Sequence, residues 1–271
     1  MAFFGDYNTP GRGVLKTPHE KKGFFKFWEI YGRHMWKLIQ VNLLYLLFCC
    51  LIVTFGPATA AMTKVVRNYS QERNVFLLHD FWDAFKKNFK QGFIMGIIDI
   101  IFIMGFFVSV PYYNALAKEN TVMYIPYAIC LVCMLMFFMM HFYIYLMICS
   151  TNLKMRQIIK NSFFLVSLGL KQSLWTLLAT VLAIMMMYLF WPWTLFVIPF
   201  WPMSFMCMII CFNCYPIIRK HVIQPYYDQR GEKNPEFAEP DVETLFEDRA
   251  SEEKAPPKSS KGIKHKGKTI S

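Results

Sequence analysis

The chain has none of the short motifs that mark the common enzyme classes. There is no H-E-x-x-H, no G-x-S-x-G, no phosphate loop and no dinucleotide fingerprint. Gly11-Arg12-Gly13 is a loop fragment and not a phosphate cradle. These absences exclude the enzymes such motifs would identify, and no cofactor is expected. Acidic residues are also scarce: 18 Asp and Glu stand against 29 Lys and Arg, a net charge of +11. Charge of either sign is missing from five long stretches, 38–55, 92–110, 123–148, 173–190 and 194–215, apart from Asp99 in the second.

What fills those stretches is apolar. Hydrophobic residues make up 55% of the chain and aromatics 18%, with 27 Phe and 18 Met. A run of about 20 such residues crosses the ~30 Å hydrocarbon core of a bilayer as a helix. The expected fold class is therefore all-α, a polytopic transmembrane helix bundle of about five spans, at 38–55, 92–110, 123–148, 173–190 and 194–215. Pro199 and Pro202 should delay or kink the start of the last one. Trp191, Trp193 and Trp201 surround the turn before it, as an aromatic belt would.

The excess of Lys and Arg flanks the apolar runs, where anionic headgroups and the positive-inside rule place it. Membrane lipid is the expected contact, and nucleic acid is not. With five spans, 21 of these residues fall on the face shared by the C-terminus and 8 on the opposite face, so a cytoplasmic C-terminus is expected. The eight cysteines lie in or beside apolar runs. The pairs Cys130/Cys133 and Cys211/Cys214 have no second ligand cluster and read as small buried hydrophobes, not as a metal or redox site.

Amphipathic segments connect the spans. Interfacial helices are expected at 24–37, 57–69, 77–91 and 153–170. Ala58-Thr59-Ala60 resembles a signal-peptidase site, but the long polar lead and Pro57 argue against cleavage. Within 77–91, Phe81, Trp82, Phe85 and Phe89 stand beside Lys86, Lys87 and Lys90. This face can steer the chain into the next span, dock a partner or meet headgroups. A faint echo between FKQGFIMGII at 89–98 and LKQSLWTLLA at 170–179 suggests two related helical hairpins. Residues 1–22 read as a flexible N-terminus. From 226 onward the charged composition reads as a disordered tail.

One acid interrupts the second span. Asp99 lies inside Gly92–Val110, and Gly92, Gly96 and Asp99 share one helical face. Gly92-x-x-x-Gly96 lets another helix approach closely, so Asp99 should face protein and not lipid. His141, near the middle of the third span, is its expected ionisable partner; Asn42 and Asn213 are further intramembrane polar candidates. Two roles are open for Asp99. It can accept structural interhelical hydrogen bonds, or form part of a proton or substrate path with His141.

Several blocks together resemble the YesL-like family of bacterial membrane proteins, a family of unknown function. They are Asn42-Leu43-Leu44, Val53-Thr54-Phe55-Gly56-Pro57-Ala58-Thr59-Ala60-Ala61, Asp80-Phe81-Trp82 with Phe85-Lys86-Lys87-Asn88-Phe89-Lys90, and Tyr215-Pro216-Ile217-Ile218-Arg219. The resemblance spans about 24–225. It implies a bacterial plasma-membrane protein and an accessory role in carbohydrate uptake, with permease subunits of ABC transporters as partners. It supplies no catalytic or binding residues, and neither substrate nor oligomeric state follows from the sequence.

Overall fold

The structure is a computed structural model that describes residues 23–49, 54–232 and 234. The expected flexible N-terminus, 1–22, lies outside the described residues, as does nearly all of the tail beyond 232. The helices are α1 (Gly23–Cys49), α2 (Phe55–Ser70), α3 (Leu77–Glu119), α4 (Tyr124–Ser150), α5 (Met155–Leu168), α6 (Leu170–Leu189), α7 (Thr194–Val197), α8 (Pro202–Ile218) and α9 (Gln224–Arg230). A 3₁₀ turn precedes α4 and a π turn, Arg219–Ile223, joins α8 to α9. No strand occurs among the described residues. The chain divides into Met1–Tyr226 and Tyr227–Ser271. In the second unit the described residues open with the end of α9, so helix continues past 226, where the tail was expected to begin.

Four helical segments among the described residues are long and apolar enough to cross a membrane: Leu77–Glu119, Thr121–Ser150, Leu170–Leu189 and Pro202–Arg230. The protein is a multi-pass membrane protein. The expected first span, 38–55, is not among the four. Its residues 50–53 lie outside the described residues, and Arg33, Lys37, Gln40 and Asn42 dilute the apolar character of α1. The last span starts later than expected, because α7 stops after one turn and α8 begins with Pro202 at its first position.

The interfacial stretch 77–91 and the span 92–110 are one uninterrupted helix. At 43 residues, α3 is about 65 Å long, against ~40–45 Å for a bilayer with its headgroup regions. The surplus of about 20 Å equals the length of its charged first 14 residues. A buried stripe of Phe81, Ala84, Phe85, Asn88, Gly92, Met95, Gly96 and Asp99 follows helical spacing along one side.

The largest departure from expectation is α2. Its polar composition suggested an interfacial piece, yet it packs against α1, α3, α4 and α8 at once. Ala58, Ala60, Ala61, Val65, Val66 and Tyr69 have no exposed surface. Small residues at its start allow this. A Cβ added to Gly56 would stand 1.9 Å from the carbonyl oxygen of Gly92 and 3.0 Å from the nitrogen of Gly96. The α2–α3 crossing is therefore backbone against backbone, with no room for a methyl group.

Other helices close around this pair. Helix α1 runs antiparallel to α8, with the Phe27 ring 5.4 Å from Phe212 near the end of α8 and Asn42 at its start. The second half of α4 is buried continuously from Phe142 to Cys149. Its first half pairs instead with the outer half of α3, where Phe102 and Phe137 stack at 4.4 Å. Cys207, Cys211 and Cys214 are buried as expected of small hydrophobes, whereas Cys133 is exposed and Cys130 half-buried, because both lie on that outer half of α4.

Replacing Gly56 with Ala should destabilise the protein by at least the upper end of the ~1–3 kcal/mol typical of overpacking. Gly105, also in α3, has nothing within 4 Å of an added Cβ, so Gly105→Ala should be neutral or slightly stabilising. Thermal unfolding in detergent distinguishes the two.

Candidate functional site

Asp99 sits at the end of the inward stripe of α3 and is 1% exposed. Two residues of α4 converge on it. The Tyr145 hydroxyl donates a 2.7 Å hydrogen bond to Oδ2. His141 Nε2 stands 3.4 Å from the same oxygen. His141 and Tyr145 are one turn apart on α4, with ring centroids 4.9 Å from each other. The pairing of Asp99 with His141 thus stands in the structure. Tyr145 was missed, although its i+4 spacing from His141 could have revealed it.

The cluster is asymmetric. His141 keeps 30% of its side chain exposed while Asp99 keeps 2%. Asp99 Oδ1 is buried and has no hydrogen-bond partner among the described residues. The Tyr145 hydrogen bond is of normal length, while 3.4 Å is longer than a good N–H···O bond. The geometry holds the carboxyl firmly on one side and leaves its second oxygen available. Chemically the trio can hold or pass one proton between a buried and a half-exposed group.

Asn42 has a different role. Fully buried on α1, its amide nitrogen donates to the carbonyls of Ile198 and Pro199, both at 2.8 Å. Its amide oxygen accepts from the backbone N–H of Ser204 at 3.1 Å. Those groups end α7 and open α8, where helices leave backbone groups unpaired. Asn42 caps both from another helix. Asn213 joins neither Asn42 nor Asp99 and lines a groove between α6 and α8.

Arg67 was not singled out from the sequence. It is buried on α2 and donates to Ser150 Oγ at 2.7 Å, with the Cys149 carbonyl at 3.5 Å. Its guanidinium lies 5.2 Å from the centre of the Tyr215 ring. A cation at the carbonyl end of α4 meets the negative end of the helix dipole. Its Nε is buried without a partner among the described residues.

The expected partner or headgroup face on α3 divides in two. Phe81 and Phe85 turn inward, on the buried stripe, and pack on Phe48 of α1 at 5.4 and 5.0 Å. Trp82, Lys86, Lys87, Phe89 and Lys90 remain exposed. The Lys86 amine lies 4.9 Å from the centre of the Trp82 ring, a cation–π arrangement. Gly92 and Gly96 serve packing as expected, and their neighbour is Gly56-Pro57 of α2.

Where the middle of α1 meets the end of α2, His34 stacks on Tyr69 at 5.0 Å, with Lys37 over the same ring and Arg33 paired to Glu72. Burial, followed by the positive charges of Lys37 and Arg33, pushes the His34 pKa down from 6.5. The unfolded chain then binds more protons in this window, so the His34 contribution to stability is complete above about pH 6.5 and is lost as pH falls. Melting temperatures at pH 7.5 and 5.5 should differ less in His34→Gln than in wild type. Asn42→Leu should cost on the order of 3 kcal/mol, since each buried polar group left unpaired costs ~1–3 kcal/mol; chemical denaturation in mixed micelles measures it.

Residues 38–110 match the model of a family described as "Protein of unknown function, DUF624". No curated protein and no solved structure matches the chain. The matched stretch runs from the second half of α1 through α2 and most of α3, and so contains Asn42, the Gly56–Gly92–Gly96 crossing and Asp99.

Proposed function

We propose that this protein is a non-enzymatic accessory or assembly factor for a carbohydrate-uptake ABC transporter. It resides in the bacterial plasma membrane with its C-terminus in the cytoplasm. The resemblance to the YesL-like family, with which the DUF624 match is consistent, supplies the link to sugar import. Counted over the four spans, 28 of the 29 Lys and Arg fall on the face shared with the C-terminus, and this supports the orientation. The observation that carries the accessory role is the continuity of α3. An exposed face of Trp82, Lys86, Lys87, Phe89 and Lys90 is borne on the same rigid helix that crosses the membrane. A partner seated on that face is coupled directly to the span.

The test is affinity purification of the tagged chain from native membranes in mild detergent, with mass spectrometry of the recovered proteins. Stoichiometric recovery of an ABC permease is expected. The combined change Trp82→Ala, Lys86→Glu, Lys90→Glu should lower that recovery at least fivefold. Recovery of the protein alone, as a stable monomer or homo-oligomer, rejects the proposal.

A second reading, a small proton-linked transporter, is favoured by the Tyr145–Asp99–His141 cluster. Asp99→Asn keeps an acceptor for Tyr145 but removes the exchangeable proton. In liposomes it should abolish pH-driven flux if the cluster carries protons. Under the accessory reading neither wild type nor variant conducts.

A further inference from the structure

A groove of about 950 Å³ lies between α6, α7, α8 and the first two turns of α1. That is near the top of the ~300–1,000 Å³ range of ligand sites. Its walls are aromatic and aliphatic, Phe27, Trp175, Met186 and Phe205 among them, and no charged residue lines it. Trp175, Leu182 and Met186 are exposed, so the groove faces outward. Since α6 and α8 belong to membrane-crossing segments, the surrounding medium is acyl chain and not water. Left empty, such a surface forfeits the dispersion contacts of all its lining atoms.

The two ends of the groove differ in charge. On α6 the lining residues Trp175, Ala179 and Ala183 recur at helical spacing, and the same stripe one turn earlier reaches Lys171, which is exposed. On α8 the lining ends at Phe212 and Asn213, and its continuation reaches exposed Lys220. The Thr176 hydroxyl lies 3.7 Å from Cys214 Sγ, so the start of α6 is level with the end of α8. Both lysines therefore stand at the same end, and no acidic residue lies on either helix. Apart from tryptophan indoles, the wall has two polar side chains, Thr194 and Asn213, and Thr194 already donates to the Met187 carbonyl at 2.5 Å. That leaves the Asn213 amide, about 10 Å deeper than Lys220 along the helix.

We infer that this groove binds one anionic phospholipid. Its acyl chains fill the apolar channel, its phosphate meets Lys171 and Lys220, and an ester carbonyl accepts from Asn213. The inference is independent of the accessory reading. A partner's transmembrane helix would also bury apolar surface, but a basic pair beside one end of the groove matches an anionic headgroup better than an apolar helix.

Native mass spectrometry of the delipidated full-length protein tests this, with dioleoyl phosphatidylglycerol and dioleoyl phosphatidylcholine added separately. One phosphatidylglycerol should be retained per protein at a concentration on the order of tenfold below that needed for phosphatidylcholine. Lys171→Ala with Lys220→Ala, two exposed positions whose loss leaves packing intact, should erase that difference while phosphatidylcholine retention stays. Ala183→Trp, which fills the channel, should lower retention of both lipids about tenfold. Equal retention of the two lipids by wild type overturns the inference. So does a lipid ladder without saturation that Ala183→Trp leaves unchanged, or crosslinking of a second protein through a photoreactive residue placed at 183.

Discussion

The backbone contact between Gly56 and the Gly92–Gly96 face holds the rest of the molecule in place. Hydrophobic exclusion from water does not draw helices together within lipid, so close packing of backbones has to. Here the packing is as close as it can be, with the Gly92 carbonyl occupying the space a methyl on Gly56 would need. The contact seats α2 in the centre of the bundle. It also fixes the rotation of α3, which turns Phe81, Phe85, Asn88 and Asp99 inward together. The meeting of Asp99 with Tyr145 and His141 is a consequence of that rotation.

Seating a short helix in the middle of a membrane protein creates a second requirement. Helix ends near the middle of the bundle expose backbone groups that water cannot reach. One side chain from the first helix answers it, Asn42 of α1, which satisfies the break between α7 and α8. Arg67 of α2 instead ties the end of α4 through the Ser150 hydroxyl, with the Cys149 carbonyl at 3.5 Å. Both would pass for functional polar residues in a sequence, and both hold helix ends in place. Asp99 Oδ1 and Arg67 Nε are each buried without a hydrogen-bond partner among the described residues, whereas both amide atoms of Asn42 are engaged.

The helical membrane class, the Gly92–Gly96 packing face and the pairing of Asp99 with His141 could be read from hydropathy and helical spacing. The central position of α2 could not. Lys64, Arg67 and Asn68 make it polar on average, and hydropathy alone does not weigh the small residues at its start. The inward turn of Phe81 and Phe85 was equally hidden, because four aromatics in nine residues leave the direction of the face ambiguous until a neighbour such as Phe48 is known. Asn42 was recognisable as a buried amide but not as a cap. Its partners are brought near only by the antiparallel packing of α1 on α8.

The Asn42 contact carries a consequence for biogenesis. Its acceptors at Ile198 and Pro199 lie 156 and 157 residues further along the chain. At a synthesis rate of ~5–20 residues per second, they emerge on the order of ten seconds after Asn42 itself. Throughout that interval an amide destined for the protein interior has none of its final partners. The early helices must therefore wait in a provisional arrangement, with Asn42 turned to water, headgroups or the insertion machinery. The last hairpin then completes an interior begun by the first helix, and a chain cut short before Ile198 leaves that amide permanently unmatched.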